Sequence, residues 1–281
     1  MLELARGLST RALRALADLE MRTIAADGGR LKLEWGVLNA RSGRGVEDLL
    51  WWDGDRLLGF LGLYAFGPRT VELAGMVDPA ARGHGIATAL LDAGLPICRD
   101  RGYRTALLVT PRGSKAGRSL ALARGAVLDH CEHALVLLGA PTDAPPATDV
   151  LLRTATRADA AEVARLLTAA FAWTPSDVVD RLASDSERTL LIELAGSVVG
   201  TVRLTREQET AGVYGFAVDP AWQGRGIGRD VLRRLCTRLR EEGARRICLE
   251  VAVDNERALG LYTSVGFTQV STEDYYALPP S

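Results

Sequence analysis

The chain has 281 residues, 47% hydrophobic and 25% charged, a composition that suits one large globular domain or two of about 140 residues and excludes disordered, collagen-like and disulfide-scaffold classes. Its 34 Lys plus Arg stand against 35 Asp plus Glu, so a net charge of −1 gives no basic field to attract nucleic acid or an anionic membrane surface, and neither is expected as a partner. The four cysteines, Cys98, Cys131, Cys236 and Cys248, form no C-x-x-C pair, which fits buried thiols in a reducing compartment and not a disulfide or zinc framework.

In chain order, residues 1–30 lack the apolar run of a signal peptide, and nowhere do 18 apolar residues run together, so a cytoplasmic location is expected. VELAGMVDP (71–79) reads as a strand stopped by Pro79, and RGHGIA (82–87) follows as a glycine-rich turn. His130 and His133 flank Cys131 in strand-like surroundings; alternation separates them onto opposite faces, and no metal is expected there. GAPTDAPPATD (139–149) carries three of the 11 prolines and no large apolar residue, the composition of an exposed linker. Next, 156–171 spaces Ala and Leu at helical intervals behind Thr156 as a candidate N-cap. Two β-rich runs, 189–204, surround the turn dipeptide Ala195–Gly196, and a third strand, 212–220, ends at Pro220. An amphipathic helix over 229–243, a buried strand over 245–254, a short helix over 255–266 and a closing strand over 267–278 complete the chain.

The two halves repeat. An offset of 141 places VDPAARGHGIATALL (77–91) on VDPAWQGRGIGRDVL (218–232), and Gly59, Gly102, Leu108 and Gly125 on Gly200, Gly243, Leu249 and Gly266. About seventy residues per half align without a gap. This length suits a domain and not a solenoid unit, so the expected organisation is two tandem domains, 1–138 and 150–281, joined by the linker 139–149. Each is expected to be mixed α/β (α+β), with a central, mostly antiparallel sheet flanked by helices.

The phrase QGRGIG (223–228) falls between a strand and a long helix. Backbone N–H groups at a helix start, unobstructed by Cβ at Gly224, Gly226 and Gly228, can bind a phosphate or pyrophosphate, with Arg225 and Arg229 adding charge. A close-packing glycine turn is the alternative. A Rossmann site is disfavoured because the turn does not follow the first strand of its unit, and a Walker loop because no G-K-[ST] follows.

These residues resemble the GNAT (GCN5-related) N-acetyltransferases. AVDPAWQGRGIG (217–228) is similar to the family's [RQ]-x-x-G-x-[GA] motif, opened here by Gln223, and LEVAVDNERALGLYTSVGF (249–267) to its second motif. The resemblance covers most of 150–281 and, more weakly, 48–130. It implies acetyl transfer from acetyl-coenzyme A (acetyl-CoA) to a small-molecule or peptide amine. It also implies a pyrophosphate seat on Gln223, Gly224, Arg225, Gly226, Ile227, Gly228 and Arg229. The pantetheine arm would lie as an added strand on Phe216, Ala217 and Val218, with Asn255 as a side-chain contact.

Amine acetylation requires a neutral amine, an oxyanion donor and an acid for the leaving thiolate. Tyr262 matches the family tyrosine that points at the coenzyme sulfur, and Glu250, twelve residues earlier, resembles the proposed base of the branch that acetylates a ribosomal protein's N-terminal amine. Glu207 and Glu209 are the next candidate bases. No His lies near Cys236 or Cys248 in the sequence, so direct attack in a ternary complex is favoured over an acyl-enzyme. In the first half Tyr262, Glu250 and Asn255 fall on Ala121, Val109 and Ser114, so it is expected to be a degenerate copy that keeps the turn, with His84 in place of Arg225, and that either binds a coenzyme without turnover or serves only as a structural partner. One competent half in tandem resembles the mycothiol-forming branch, which acetylates a small thiol-sugar amine. The loop region 170–187, with Trp173, is expected to shape the acceptor site, and a coenzyme-binding sensor without turnover is the alternative from another class. Monomer and homodimer are both compatible with the sequence.

Overall fold

A computed structural model describes residues 1–65, 69–143, 148–171, 178–183 and 187–278. The elements run β1 (Leu2–Ala5), α1 (Thr10–Asp27), α2 (Trp35–Asn39), β2 (Asp48–Asp53), β3 (Arg56–Tyr64), β4 (Thr70–Val77), α3 (Ile86–Asp100), β5 (Thr105–Pro111), α4 (Lys115–Ala123) and β6 (Val127–Leu137). They continue β7 (Leu151–Thr154), α5 (Ala160–Phe171), α6 (Val178–Leu182), β8 (Glu187–Leu194), β9 (Ser197–Glu207), β10 (Thr210–Val218), α7 (Ile227–Glu241), β11 (Arg246–Ala252), α8 (Glu256–Val265) and β12 (Thr268–Leu278). Local signals account for several boundaries. Thr156 heads a capping box with Asp159 ahead of α5. Ala195 and Gly196, at φ 51° and 79°, make the tight turn between β8 and β9.

The chain divides into two compact units, Met1–Glu132 with Ser271–Ser281, and His133–Val270. In the first, β1 to β4 form an antiparallel meander, β5 joins β4 in parallel, and residues 271–278 of β12 pair antiparallel with β5. Leu90, Leu91 and Leu95 of α3 pack on one face with Leu61 and Leu73, and Leu16 and Leu19 of α1 pack on the other with Leu50 and Phe60. The second unit repeats the plan: β7 to β10 are antiparallel, β11 joins β10 in parallel, and residues 133–137 of β6 flank β11. Ile227, Val231, Leu232, Leu235, Cys236 and Leu239 form one apolar stripe of α7 against the sheet.

This division differs from the split expected at 139–149. The closing strand of the second half completes the first unit, where β5 would otherwise expose a row of unpaired N–H and C=O groups. Tyr275, Tyr276 and Leu278 are buried in that position. Residues 139–143 go with the second unit, where Thr142 N donates to Val265 O at 2.9 Å. No helix among the described residues is long and apolar enough to cross a membrane.

Candidate functional site

The site begins where two strands part. β10 pairs with β9 along its length, with a bulge between Tyr214 and Ala217 that puts Gly215 at φ +52°. Its parallel pairing with β11 ends at Gly212 opposite Cys248. From Val213 to Val218, therefore, the edge of β10 that faces β11 has no strand partner among the described residues. Phe216, Ala217 and Val218 occupy the end of that open edge, which an extended ligand can join by backbone hydrogen bonds.

The glycine turn lies immediately beyond. Asp219 Oδ1 caps a 3-10 turn, Pro220–Trp222, by accepting from Ala221 N at 3.0 Å, while its Oδ2 accepts from Arg165 of α5 at 2.8 Å. Arg165 holds the Asp219 carboxyl below the usual carboxylate range. Gly224 and Gly226 then sit at φ +78° and +80°, where a Cβ is strained, and Gly226 is the N-cap of α7. The helix starts at Ile227, two residues before the expected Arg229, and its first closing bond is Asp230 N to Gly226 O at 3.1 Å. The six consecutive N–H groups of Gly224 to Arg229 have no partner among the described residues. Six donors at the positive end of a 15-residue helix suit a phosphate oxyanion.

The side chains of the turn divide by role. Gln223 donates from Nε2 to Val218 O at 2.8 Å and accepts from Arg257 of α8 at 2.9 Å. Arg225 lies over Trp222, 4.7 Å from the ring centroid, and donates to Ala221 O. Both brace the turn. Ile227 is buried and offers only its N–H, whereas Arg229 is exposed and has no partner among the described residues. Gly228 sits under Leu261 and Phe216, so α7, α8 and the end of β10 meet at one point. Arg257, which ties α8 to the turn, was not singled out from sequence; its place two residues after an N-cap was the available signal.

Asn255 is that N-cap: its Oδ1 accepts from Ala258 N at 3.0 Å, which leaves the amide NH2 for a ligand. Tyr262 of α8 is 9% exposed and packs edge-on to Phe267 at 6.1 Å. Burial pushes its phenol up to about 12, and its hydroxyl has no hydrogen-bond partner among the described residues. Glu250 follows Cys248 on β11, past the point where the strands part, on the face opposite Ile247, Leu249 and Val251. Glu207 and Glu209 lie at the other end of β10, exposed, with Glu209 paired to Arg245 at 2.9 Å. That position removes both as candidate bases. Trp173 lies outside the described residues. Burial pushes the Cys236 thiol up to about 12 and Cys98 to about 11, unsuited to a thiolate nucleophile.

The first unit keeps the turn and shortens the opening, since the β4 pairing with β5 runs on to Ala74 and leaves only Gly75 to Val77 beyond it. Gly83 and Gly85 both stand at φ +79°, and His84 turns its Nδ1 onto Arg82 O at 2.9 Å. β3 and β4 pair without a bulge, and five pairs, Thr70–Ala74 with Thr105–Val109, hold β4 to β5 where the second unit has three. Ser114 caps α4, but Ala121 and Val109 stand buried where Tyr262 and Glu250 would be. On the Val109 face, where Tyr275 packs, Lys32 donates to the Tyr275 hydroxyl at 2.7 Å and pairs with Glu72 at 3.3 Å, which places the unit's own charges there.

The family profile described as acetyltransferase (GNAT) family matches residues 11–124 and 159–267. A mycothiol acetyltransferase of Rhodococcus jostii is 31% identical over 290 aligned residues, 91% of this chain and 91% of that one. The N-alpha-acetyltransferase RimI of Mycobacterium tuberculosis is 38% identical over 129 residues, 43% of this chain and 80% of its own. The crystal structure of a GCN5-related N-acetyltransferase from Sphaerobacter thermophilus shares the fold, with a TM-score of 0.79 over 98% of this chain and 95% of that one at 20% identity.

Proposed function

Because the chain belongs to the GNAT family and is an acetyltransferase, we propose that its second unit moves the acetyl group of acetyl-CoA to a primary amine by direct attack in a ternary complex. The observation that carries this reading is the conjunction, at one end of one unit, of an open strand edge and six unpartnered N–H groups. The N–H groups of Gly224 to Arg229 hold the pyrophosphate, and the edge of β10 at Phe216, Ala217 and Val218 takes the pantetheine arm as an added strand. Asn255 adds its amide. Glu250 accepts the proton of the attacking amine directly or through water, a backbone N–H of the open edge polarises the thioester carbonyl, and Tyr262 donates to the sulfur as the C–S bond breaks and the C–N bond forms.

Acceptor identity has two supports. The full-length likeness to mycothiol acetyltransferases favours a small thiol-sugar amine, and the second-half likeness to RimI favours a peptide N-terminus. Thiol release from acetyl-CoA, followed against thiol-sugar amines, amino sugars, polyamines and peptide N-termini, tests the proposal. Turnover is expected with at least one class and should fall about 10²- to 10⁴-fold in Tyr262→Phe. Acetyl-CoA binding without turnover of any amine would make the second unit a binder only.

A further inference from the structure

The face of the second unit that carries Glu250 also holds a charged group with no part in the transfer steps above. Val202 and Leu204 of β9, Ala211 and Val213 of β10 and Leu249 of β11 enter the core under α7. Strand alternation therefore puts Arg203, Tyr214 and Glu250 together on the opposite face. Arg203 and Tyr214 are directly paired across β9 and β10, with the guanidinium 4.9 Å from the ring centroid. The ring lies back along β10 over Gly212, where a Cβ would come within 2.4 Å of it.

Behind this stack, Glu187 of β8 accepts from Arg203 Nη1 at 2.7 Å, and the two side chains are 24% and 21% exposed. Burial lowers the pKa of Arg203 from the ordinary arginine range; Glu187 opposes that, and Arg181 adds a second positive charge nearby. Nε and Nη2 of Arg203 have no hydrogen-bond partner among the described residues. A partly desolvated, planar cation, fixed on an aromatic ring with two donors unspent, is a receptor for an oxyanion.

On the acetyltransferase reading above, we propose that Arg203 sets acceptor specificity by receiving a carboxylate or phosphate of the acceptor while Glu250 receives its amine. Two strand spacings separate β9 from β11, about 10 Å in a regular sheet and more where β10 and β11 part. The nitrogen and the oxyanion of the acceptor are thus several bonds apart. This disfavours simple α-amino acids and suits a peptide N-terminus with a nearby acidic residue, or an amine-bearing phosphate ester.

The test is steady-state kinetics of the full chain at saturating acetyl-CoA with matched acceptors: peptides with Asp or Asn at the second and third positions, and an amino sugar with or without a phosphate. The anionic member of at least one pair is expected to show about a tenfold to hundredfold higher kcat/KM, and which pair responds tells a carboxylate from a phosphate. Arg203→Gln should raise KM for that member and bring the preference near one, with Arg203→Lys in between, whereas Glu250→Gln should lower kcat for both members alike. The inference is overturned if the wild-type chain shows no preference for the anionic member. It is also overturned if Arg203→Gln depresses both members equally, as a purely structural arginine would. Acetylation of neutral amines without preference sinks this inference alone, while failure to acetylate any amine sinks the enzymatic reading with it.

Discussion

Tyr262 is buried deeply enough that its phenol ionises only near pH 12. A group whose folded pKa is raised above the unfolded value of about 10 contributes stability that is complete below pH 10 and is lost as pH rises through 12, a difference on the order of 3 kcal/mol for two units. The same sign governs its chemistry. Throughout the neutral and mildly alkaline range the Tyr262 phenol stays protonated, as the proposed donation to the leaving sulfur requires. A kcat profile from pH 7 to 11, with both substrates saturating, should therefore show no descending limb that depends on Tyr262 below pH 10. A limb centred at or below pH 10 in the wild-type chain and absent from Tyr262→Phe would contradict the role assigned to this residue.

β10 is the element that separates the two halves. Gly215 takes φ +52° in the bulge, and a Cβ there would come within 3.3 Å of Leu167. Gly215→Val adds a backbone cost of roughly 1–2 kcal/mol and favours the unbulged strand seen in β4 of the first unit. Calorimetric titration should find one acetyl-CoA per wild-type chain and an affinity weaker by about tenfold or more in Gly215→Val, since each 1.4 kcal/mol is a factor of ten. Unchanged affinity would mean that the bulge does not prepare the strand edge. Much of this site was legible in the sequence: the V-D-P repeat marked the end of the strand before the turn, two of the three spaced glycines, Gly224 and Gly226, take positive φ, and Thr156, Asn255 and Gly226 stand at helix starts in the structure. The bulge was not legible. An alignment without gaps hides it, because Thr70 opposite Thr105 and Thr210 opposite Arg246 are offset by 140 in β10 and 141 in β11, and a shorter hairpin loop restores the count before β9. Nor could local pattern reveal the row of Glu187, Arg203 and Tyr214, whose members come from three strands and meet only through register.

At the scale of the whole molecule, the order of the chain and the division of its mass do not coincide. A closing strand is read correctly from 267–278 by alternation, yet alternation carries no information about which sheet edge the strand joins. Residues 271–278 supply the strand beside β5, with Glu273 opposite Pro111 through Leu278 opposite Ala106, and they bring Tyr275 into contact with Leu107 and Val109. Tyr275 also takes the hydrogen bond from Lys32 and donates to Glu132 at 2.6 Å, so one strand supplies both an apolar layer and a polar anchor to the first unit. The first unit is therefore incomplete until the last residues of the chain have been made. Truncation after Val270 should strip hydrogen-exchange protection from β5 and β4 while β9 and β10, whose partners all lie within 133–270, keep theirs. Adding a synthetic peptide of residues 271–278 should restore protection to β5. Full protection of β5 in the truncated chain would show instead that the first unit closes its own edge and that the crossing strand is dispensable.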